Sequence, residues 1–229
     1  EAVEVSYLEE ADAARLLAAL HDVPPQYSAM VQLGLFTGMR RGEICGLRWS
    51  DIDFNASTIS VNRTVEYIPH EGLIFTAPKT KASNRTFKVG ANCMDMLREY
   101  QLYQKAERLR VGSMWARTVQ VENGKTVQND LLFTKWNGAP IDPKTVTTWF
   151  PGFLAAYDLL PVHFHSLRHT NASLLIAAHV PVTAVSGRLG HAKTSTTTDI
   201  YAGFIRSADA AAADALTDVF TRIREENHA

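Results

Sequence analysis

Along residues 6–20 the apolar positions Ala13, Leu16, Leu17 and Leu20 repeat at helical spacing behind Ser6 and Glu9, whose separation reads as a capping box. Pro24 and Pro25 close that segment. A second helix is expected over residues 26–36, broken at Thr37-Gly38, with helical character resuming over 39–49. The period then changes: residues 58–67 alternate as one strand, and 73–75 and 85–89 are short β-type runs, which together predict a small antiparallel sheet. Residues 92–110 read as a long helix, with Met94, Leu97, Tyr100, Leu102 and Leu109 loosely periodic and Asp95, Arg98, Glu99, Lys105 and Glu107 on wet positions. Residues 119–128 read as a hairpin turning at Asn123-Gly124, inside a stretch, 111–131, that looks inserted. Asp142 is placed to cap, and Pro143 to begin, a helix running to about Tyr157.

Towards the C-terminus Ser166 is expected to cap a helix whose apolar positions include Leu167, Leu174, Leu175 and Ala178. Residues 181–189 supply another helix, stopped by Gly190, and Thr194 or Ser195 caps a further one before Tyr201. Residues 208–224 are Ala-rich, with Leu216, Val219, Phe220 and Ile223 at helical spacing, an amphipathic tail helix. The fold class is therefore mainly α with a small antiparallel β-sheet.

At 229 residues, 46% hydrophobic and 21% charged, the chain is long and apolar enough to bury a core. It contains no run of 18 apolar residues and opens acidic and polar, which points away from a membrane span or a secretory leader. Cys45 and Cys93 stand far from each other and from any metal-spaced partner, as in a reduced cytoplasmic protein. The net charge of −1 lacks the basic excess usual for nucleic-acid binding, but it is unevenly spread. Acids crowd both ends, whereas residues 78–90 carry Lys79, Lys81, Arg85 and Lys88 without one acid.

The chemistry concentrates between His165 and Tyr201. Arg168 offers a planar, permanently charged fork to phosphate oxygens, and His165, three residues earlier, can hydrogen-bond the same group or move its proton. His191 follows Leu189-Gly190, ten residues before Tyr201. His163, His165 and His169 raise the question of a metal. However, no acid completes a ligand set, and Arg168 would place a cation beside the ion. No metal or other cofactor is expected; His169 reads as a packing residue.

His165-x-x-Arg168, then Leu189-Gly190-His191, then Tyr201 resembles the C-terminal signature of the tyrosine recombinases, or phage integrases. The resemblance demands an upstream Arg, and Thr37-Gly38-Met39-Arg40-Arg41-Gly42-Glu43-Ile44 resembles the family's first box. It implies the recombinase catalytic-domain fold (α+β) as a single catalytic domain over 1–229, with a core of about 6–206 and a tail helix over 207–229, and with the family's N-terminal DNA-binding domains outside this chain.

By the same resemblance Arg40, His165, Arg168, His191 and a lysine are catalytic and Tyr201 is the nucleophile. Lys79, in Pro78-Lys79-Thr80, best resembles that lysine, and Lys81 is its competitor. Glu43 and Asp51 are implied as supporting acids, and Arg41, Lys81, Arg85 and Lys88 as DNA contacts. The implied partners are double-stranded attachment sites and further copies of the chain, monomeric without DNA and tetrameric in synapsis. The implied setting is the bacterial cytoplasm, with the gene carried by a phage, another mobile element or the host. Two rival functions remain at this stage: a type IB topoisomerase, similar in its Arg, Lys, His and Tyr set, and a non-catalytic DNA-binding or assembly module.

Overall fold

The computed structural model describes residues 7–77, 83–120 and 125–190. In chain order the elements are α1 (Glu10–Ala19), α2 (Pro25–Thr37), α3 (Arg41–Cys45), β1 (Ile52–Asp53), β2 (Thr58–Val61), β3 (Thr64–Ile68), β4 (Gly72–Thr76), β5 (Arg85–Lys88), α4 (Ala91–Val111), β6 (Thr118–Gln120), β7 (Thr126–Gln128), α5 (Pro143–Ala156), α6 (Ser166–Ala177) and α7 (Val182–Leu189).

Helix α2 is the hub. Its residues Ala29, Met30, Val31, Leu33 and Leu35 are all buried, the pattern of a helix enclosed by protein on every side. Pro25 starts it, and Gly38 ends it in the left-handed region at φ 64°. Helices α4 and α6 pack against it. The approach of α6 depends on Gly34, where a β-carbon would stand 3.1 Å from Leu167 Cδ1. Asn171 of α6 donates from Nδ2 to the Leu35 carbonyl at 2.8 Å, and Leu8 N–H donates to Thr170 Oγ1 at 2.9 Å, tying the start of the described chain to the same helix.

The β-structure forms three antiparallel pieces instead of one sheet: β1-β2-β5, β3-β4 and β6-β7. The expected single strand over 58–67 is in fact two strands belonging to different pieces. The break falls at Asn62 and Arg63, which both donate to the Asp51 carboxylate, Asn62 Nδ2 at 3.0 Å and Arg63 through Nη1. Successive residues of a continuous strand point to opposite faces, so two neighbours cannot both reach one carboxylate without leaving it. In the three-stranded piece the fully buried Ile59 stands opposite Ile52 on one side and Phe87 on the other.

Within the 111–131 stretch β6 and β7 pair antiparallel and Val119 joins the core, while the expected turn at Asn123-Gly124 lies outside the described residues. Asp142 caps α5 as expected, accepting from Lys144 N–H at 2.8 Å. Two expected caps differ. Helix α1 begins at Glu10, so Glu9 sits at its N-cap, and it makes no side-chain capping bond. Ser166 is the first residue of α6 and not its cap, because His165 already has helical angles of −66° and −24°. The expected caps Thr194 and Ser195 and the tail helix lie outside the described residues.

Candidate active site

Three chain segments meet at the site. The first is the turn from α2 into α3. Glu43, the third residue of α3, reaches back so that its carboxylate accepts from Arg40 N–H at 2.8 Å and from Arg40 Nη1 at 3.0 Å. The exchange fixes Arg40 at the helix entry, while its side chain stays 40% exposed. Gly42 lets this turn lie against β3: a β-carbon there would meet Thr64 Oγ1 at 2.4 Å and the Val65 carbonyl oxygen at 2.7 Å.

The second segment is the entry to α6. Ser166, Leu167 and Arg168 donate their N–H groups to the carbonyls of His163, Phe164 and His165 at 2.8, 3.3 and 3.1 Å. A tight turn thus satisfies donors that a helix start would otherwise leave open. Arg168 is buried. It donates from Nη1 to the Gly38 carbonyl at 2.7 Å and from Nη2 to the Leu189 carbonyl at 2.9 Å, joining the ends of α2 and α7. His165 is exposed beside it, and its ring meets that of His169 edge-on, with centroids 5.2 Å apart. Partial desolvation, and then the charges of Arg168, Arg40 and Arg41, hold the His165 imidazole below its ordinary pKa. Burial, and then His165 and Arg168, hold His169 down to about 4.

The third segment is the end of α7, where three successive carbonyls each accept from a different arginine. Arg85 Nε donates to Arg188 O at 2.7 Å, Arg168 Nη2 to Leu189 O at 2.9 Å, and Arg40 Nη2 stands 3.5 Å from Gly190 O. These are the acceptors that a helix C-terminus leaves unsatisfied, at the negative end of its dipole. Arg188 itself turns back, donating to the carbonyls of Lys88 at 2.8 Å and Phe36 at 3.2 Å.

Arg40, Arg41 and His165 line an open cleft of about 710 Å³ whose far wall is Thr64–Tyr67 of β3 and whose rim includes Lys144 and Thr147 of α5. Arg41 Nη1 donates to Thr147 Oγ1 at 3.2 Å across it. Glu43, buried beneath, accepts four hydrogen bonds in all, two from Arg40 and two from Arg85. Burial alone would push its carboxyl up, but bonding to Arg85, its charge, and then Arg40 hold it below the usual carboxylate value.

Of the residues singled out in the sequence, Arg40, Arg41, Glu43, His165 and Arg168 come together. Lys88 ends β5 exposed, with its carbonyl bonded by Arg188. Arg85, expected among the DNA contacts, instead lies inside with its side chain 7% exposed against Glu43. Asp51 accepts from Arg48 N–H, Asn62 and Arg63, and none of those partners belongs to the cluster. It braces the far end of α3, where Arg63 Nη1 also donates to the Gly46 carbonyl at 3.4 Å. Lys79, Lys81, His191 and Tyr201 lie outside the described residues. Among the described residues no three His, Cys, Asp or Glu side chains converge as a metal site would need. Nor is any described helix long and apolar enough to cross a membrane. The roles of Asn171, Gly42 and Arg188 carried no sequence signal, because each acts on a partner distant in the chain.

The fold is that of solved recombinase catalytic domains. The integrase of the Tn1549 transposon, solved in complex with transposon right end DNA, superposes with a TM-score of 0.73 at 21% identity, over 88% of this chain and 62% of that one. The XerA recombinase gives 0.65 at 23% identity, over 91% and 65%. Residues 6–204 match the phage integrase family, and the chain belongs to that family. A tyrosine recombinase XerC-like protein of Caldanaerobacter subterraneus subsp. tengcongensis is 33% identical over 200 residues, which are 84% of this chain and 49% of that protein. The ICEBs1 integrase of Bacillus subtilis is 24% identical over 193 residues, with the same shares. The chain thus spans about half the length of the curated relatives it matches.

Proposed function

We propose that this chain is the catalytic unit of a site-specific DNA recombinase that cleaves and rejoins double-stranded attachment sites through a 3′-phosphotyrosine on Tyr201. The observation that carries this reading is the convergence of Arg40, His165 and the end of α7 on one cleft, Arg40 held by Glu43 and Arg168 clamped behind it. The chain leaves this convergence at Gly190, one residue before His191.

In this reaction the Tyr201 hydroxyl attacks the scissile phosphorus, the bond to the 5′ oxygen breaks, and the phosphotyrosyl bond takes its place. Charge rises on the non-bridging oxygens in the transition state, and preorganised donors aimed there contribute about 3–4 kcal/mol each. Arg40, Arg168 and His191 fill that role. A tyrosine hydroxyl with a pKa near 10 is protonated at neutral pH, so it needs a base. His165, whose pKa partial desolvation and its arginine neighbours hold down, accepts that proton. The leaving 5′ oxygen takes a proton from Lys79, with Lys81 as the competing donor. Resealing is the reverse, by a 5′ hydroxyl from a second strand, and consumes neither ATP nor metal. Arg41, Lys81 and Lys88 contact the flanking phosphates. Copies of the chain assemble on DNA as a tetramer in the bacterial cytoplasm.

The test is a nicked suicide substrate carrying the element's attachment site, incubated with full-length protein and resolved by denaturing gel and mass spectrometry. A DNA-linked peptide containing Tyr201, absent in Tyr201→Phe and indifferent to EDTA, is expected. Absence of any adduct from the full-length wild type would replace this reading with a non-catalytic DNA-binding module. Exchange between two sites, as opposed to relaxation of supercoils, separates recombinase from topoisomerase.

A further inference from the structure

Arg85 lies in the basic stretch 78–90, yet the fold gives it an acid. Its Nη1 and Nη2 take the two oxygens of Glu43 at 3.1 and 2.9 Å, its Nε takes Arg188 O at 2.7 Å, and Nη1 also bonds Ser83 O at 3.1 Å. Its side chain is 7% exposed and that of Glu43 is 4%, whereas that of Arg40, sharing the same carboxylate, is 40%. One carboxylate thus stands between two permanent cations, and the inner one holds it with a two-pronged fork. The buried Arg85–Glu43 pair is neutral by itself, so the third charge, on Arg40, is left over and faces the cleft. Without Arg85, Glu43 would close a neutral pair with Arg40 and cancel most of its pull on an anion.

We infer that Arg85 is a positioning residue for the reaction proposed above: it neutralises Glu43 and braces β5, α3 and α7 together, so that Arg40 reaches the phosphate aligned and with its charge uncompensated, while Arg85 itself touches no DNA. This rests on the recombinase reading, and its test keeps the two apart.

Arg85→Met and the double variant Glu43→Gln/Arg85→Met are compared with wild-type full-length protein on the nicked attachment-site DNA, below the melting temperature of each. Three quantities are read: the single-turnover rate of adduct formation at saturating DNA, the DNA affinity from low to high salt, and Tm. For Arg85→Met the adduct rate is expected to fall about 10²-fold, with affinity and salt slope unchanged. The double variant, in which nothing neutralises Arg40, is expected to regain about tenfold of that loss, a non-additive pair.

An affinity loss with a salt slope reduced by about one, and an unchanged rate at saturation, would make Arg85 a phosphate contact and overturn the inference. So would a lowered Tm with a wild-type rate per folded molecule. If Arg85→Met does not fold, Arg85→Lys, which keeps the charge but not the fork, is read by the same criteria. Absence of adduct from wild type would overturn the recombinase reading itself, and this inference with it. Equal rates in wild type and variant would overturn this inference alone.

Discussion

Arg168→Lys measures what this arginine does for the fold. The buried guanidinium bridges Gly38 O at 2.7 Å and Leu189 O at 2.9 Å, the terminal acceptors of α2 and α7. A lysine keeps the charge but has one compact ammonium on a shorter reach, so it cannot span two carbonyls held by a rigid fork. Losing one charge-assisted bond costs about 1.5–3 kcal/mol, and the carbonyl left unsatisfied in a buried site makes the lower end of that range a floor. About 2 kcal/mol is therefore expected for Arg168→Lys. Arg168→Ala, which strands both carbonyls, should cost about 3–5 kcal/mol. With a urea m-value of about 2 kcal/mol/M the lysine variant should unfold at about 1 M less urea, with m unchanged. Urea unfolding followed by far-UV circular dichroism measures this directly. A midpoint within about 0.2 M of wild type, about a fifth of that shift, would mean that the double-carbonyl bridge contributes nothing to stability.

Stability should fall in two stages on acidification. The imidazoles of His165 and His169 are held below their ordinary pKa, so their contribution is complete above the unfolded value of about 6.5 and is lost as pH falls, for His169 towards about 4. The depressed Glu43 carboxyl adds a second loss, beginning below its unfolded value of about 4.3 and continuing through its lower folded value. His169→Asn should flatten the first stage and Glu43→Gln the second, and an unaltered slope in either variant would contradict the assignment. Gly42→Ala forces a β-carbon against Thr64 Oγ1 and the Val65 backbone, so Tm should drop by the equivalent of about 1–3 kcal/mol; an unchanged Tm would show that α3 does not need that close approach. Cys45 and Cys93 are buried, with thiols pushed up to about 12 by desolvation and then altered less by nearby charges. A chromogenic disulfide reagent should therefore label neither before unfolding, and prompt labelling of the native chain would refute their enclosure.

The parts of the fold that were legible in the sequence are those whose cause is local. Gly38 and Gly190 end α2 and α7 in the left-handed region, Asp142 and Pro143 open α5, and the two strands expected over 119–128 pair as β6 and β7. Arg40 belongs with these, because the acid that orients it is only three residues away. The misread elements have causes that the residue pattern does not show. Residues 58–67 alternate well enough for one strand, and what divides them is Asp51, which pulls two neighbouring side chains out of register. Ser166 has the chemistry of a cap, but His163, Phe164 and His165 already close the turn in front of it.

Arg85 carries this contrast furthest. A run of cations without a nearby acid looks like a face for DNA, and Lys88, at the end of the same strand, is indeed exposed. The fold, however, brings Glu43 to Arg85 from 42 residues away and the Arg188 carbonyl from 103. A charge pattern along the chain counts only the neighbours that the chain supplies, whereas the field at the cleft depends on those the fold supplies. One buried acid shared by Arg40 and Arg85 is enough to turn the first from a paired surface residue into an available cation and the second from an available cation into a buried brace. The function of either arginine is therefore a property of the triad and not of its position in a motif. For that reason substitution at Arg85 is expected to act on the rate through Arg40 and to leave the salt dependence of DNA binding untouched.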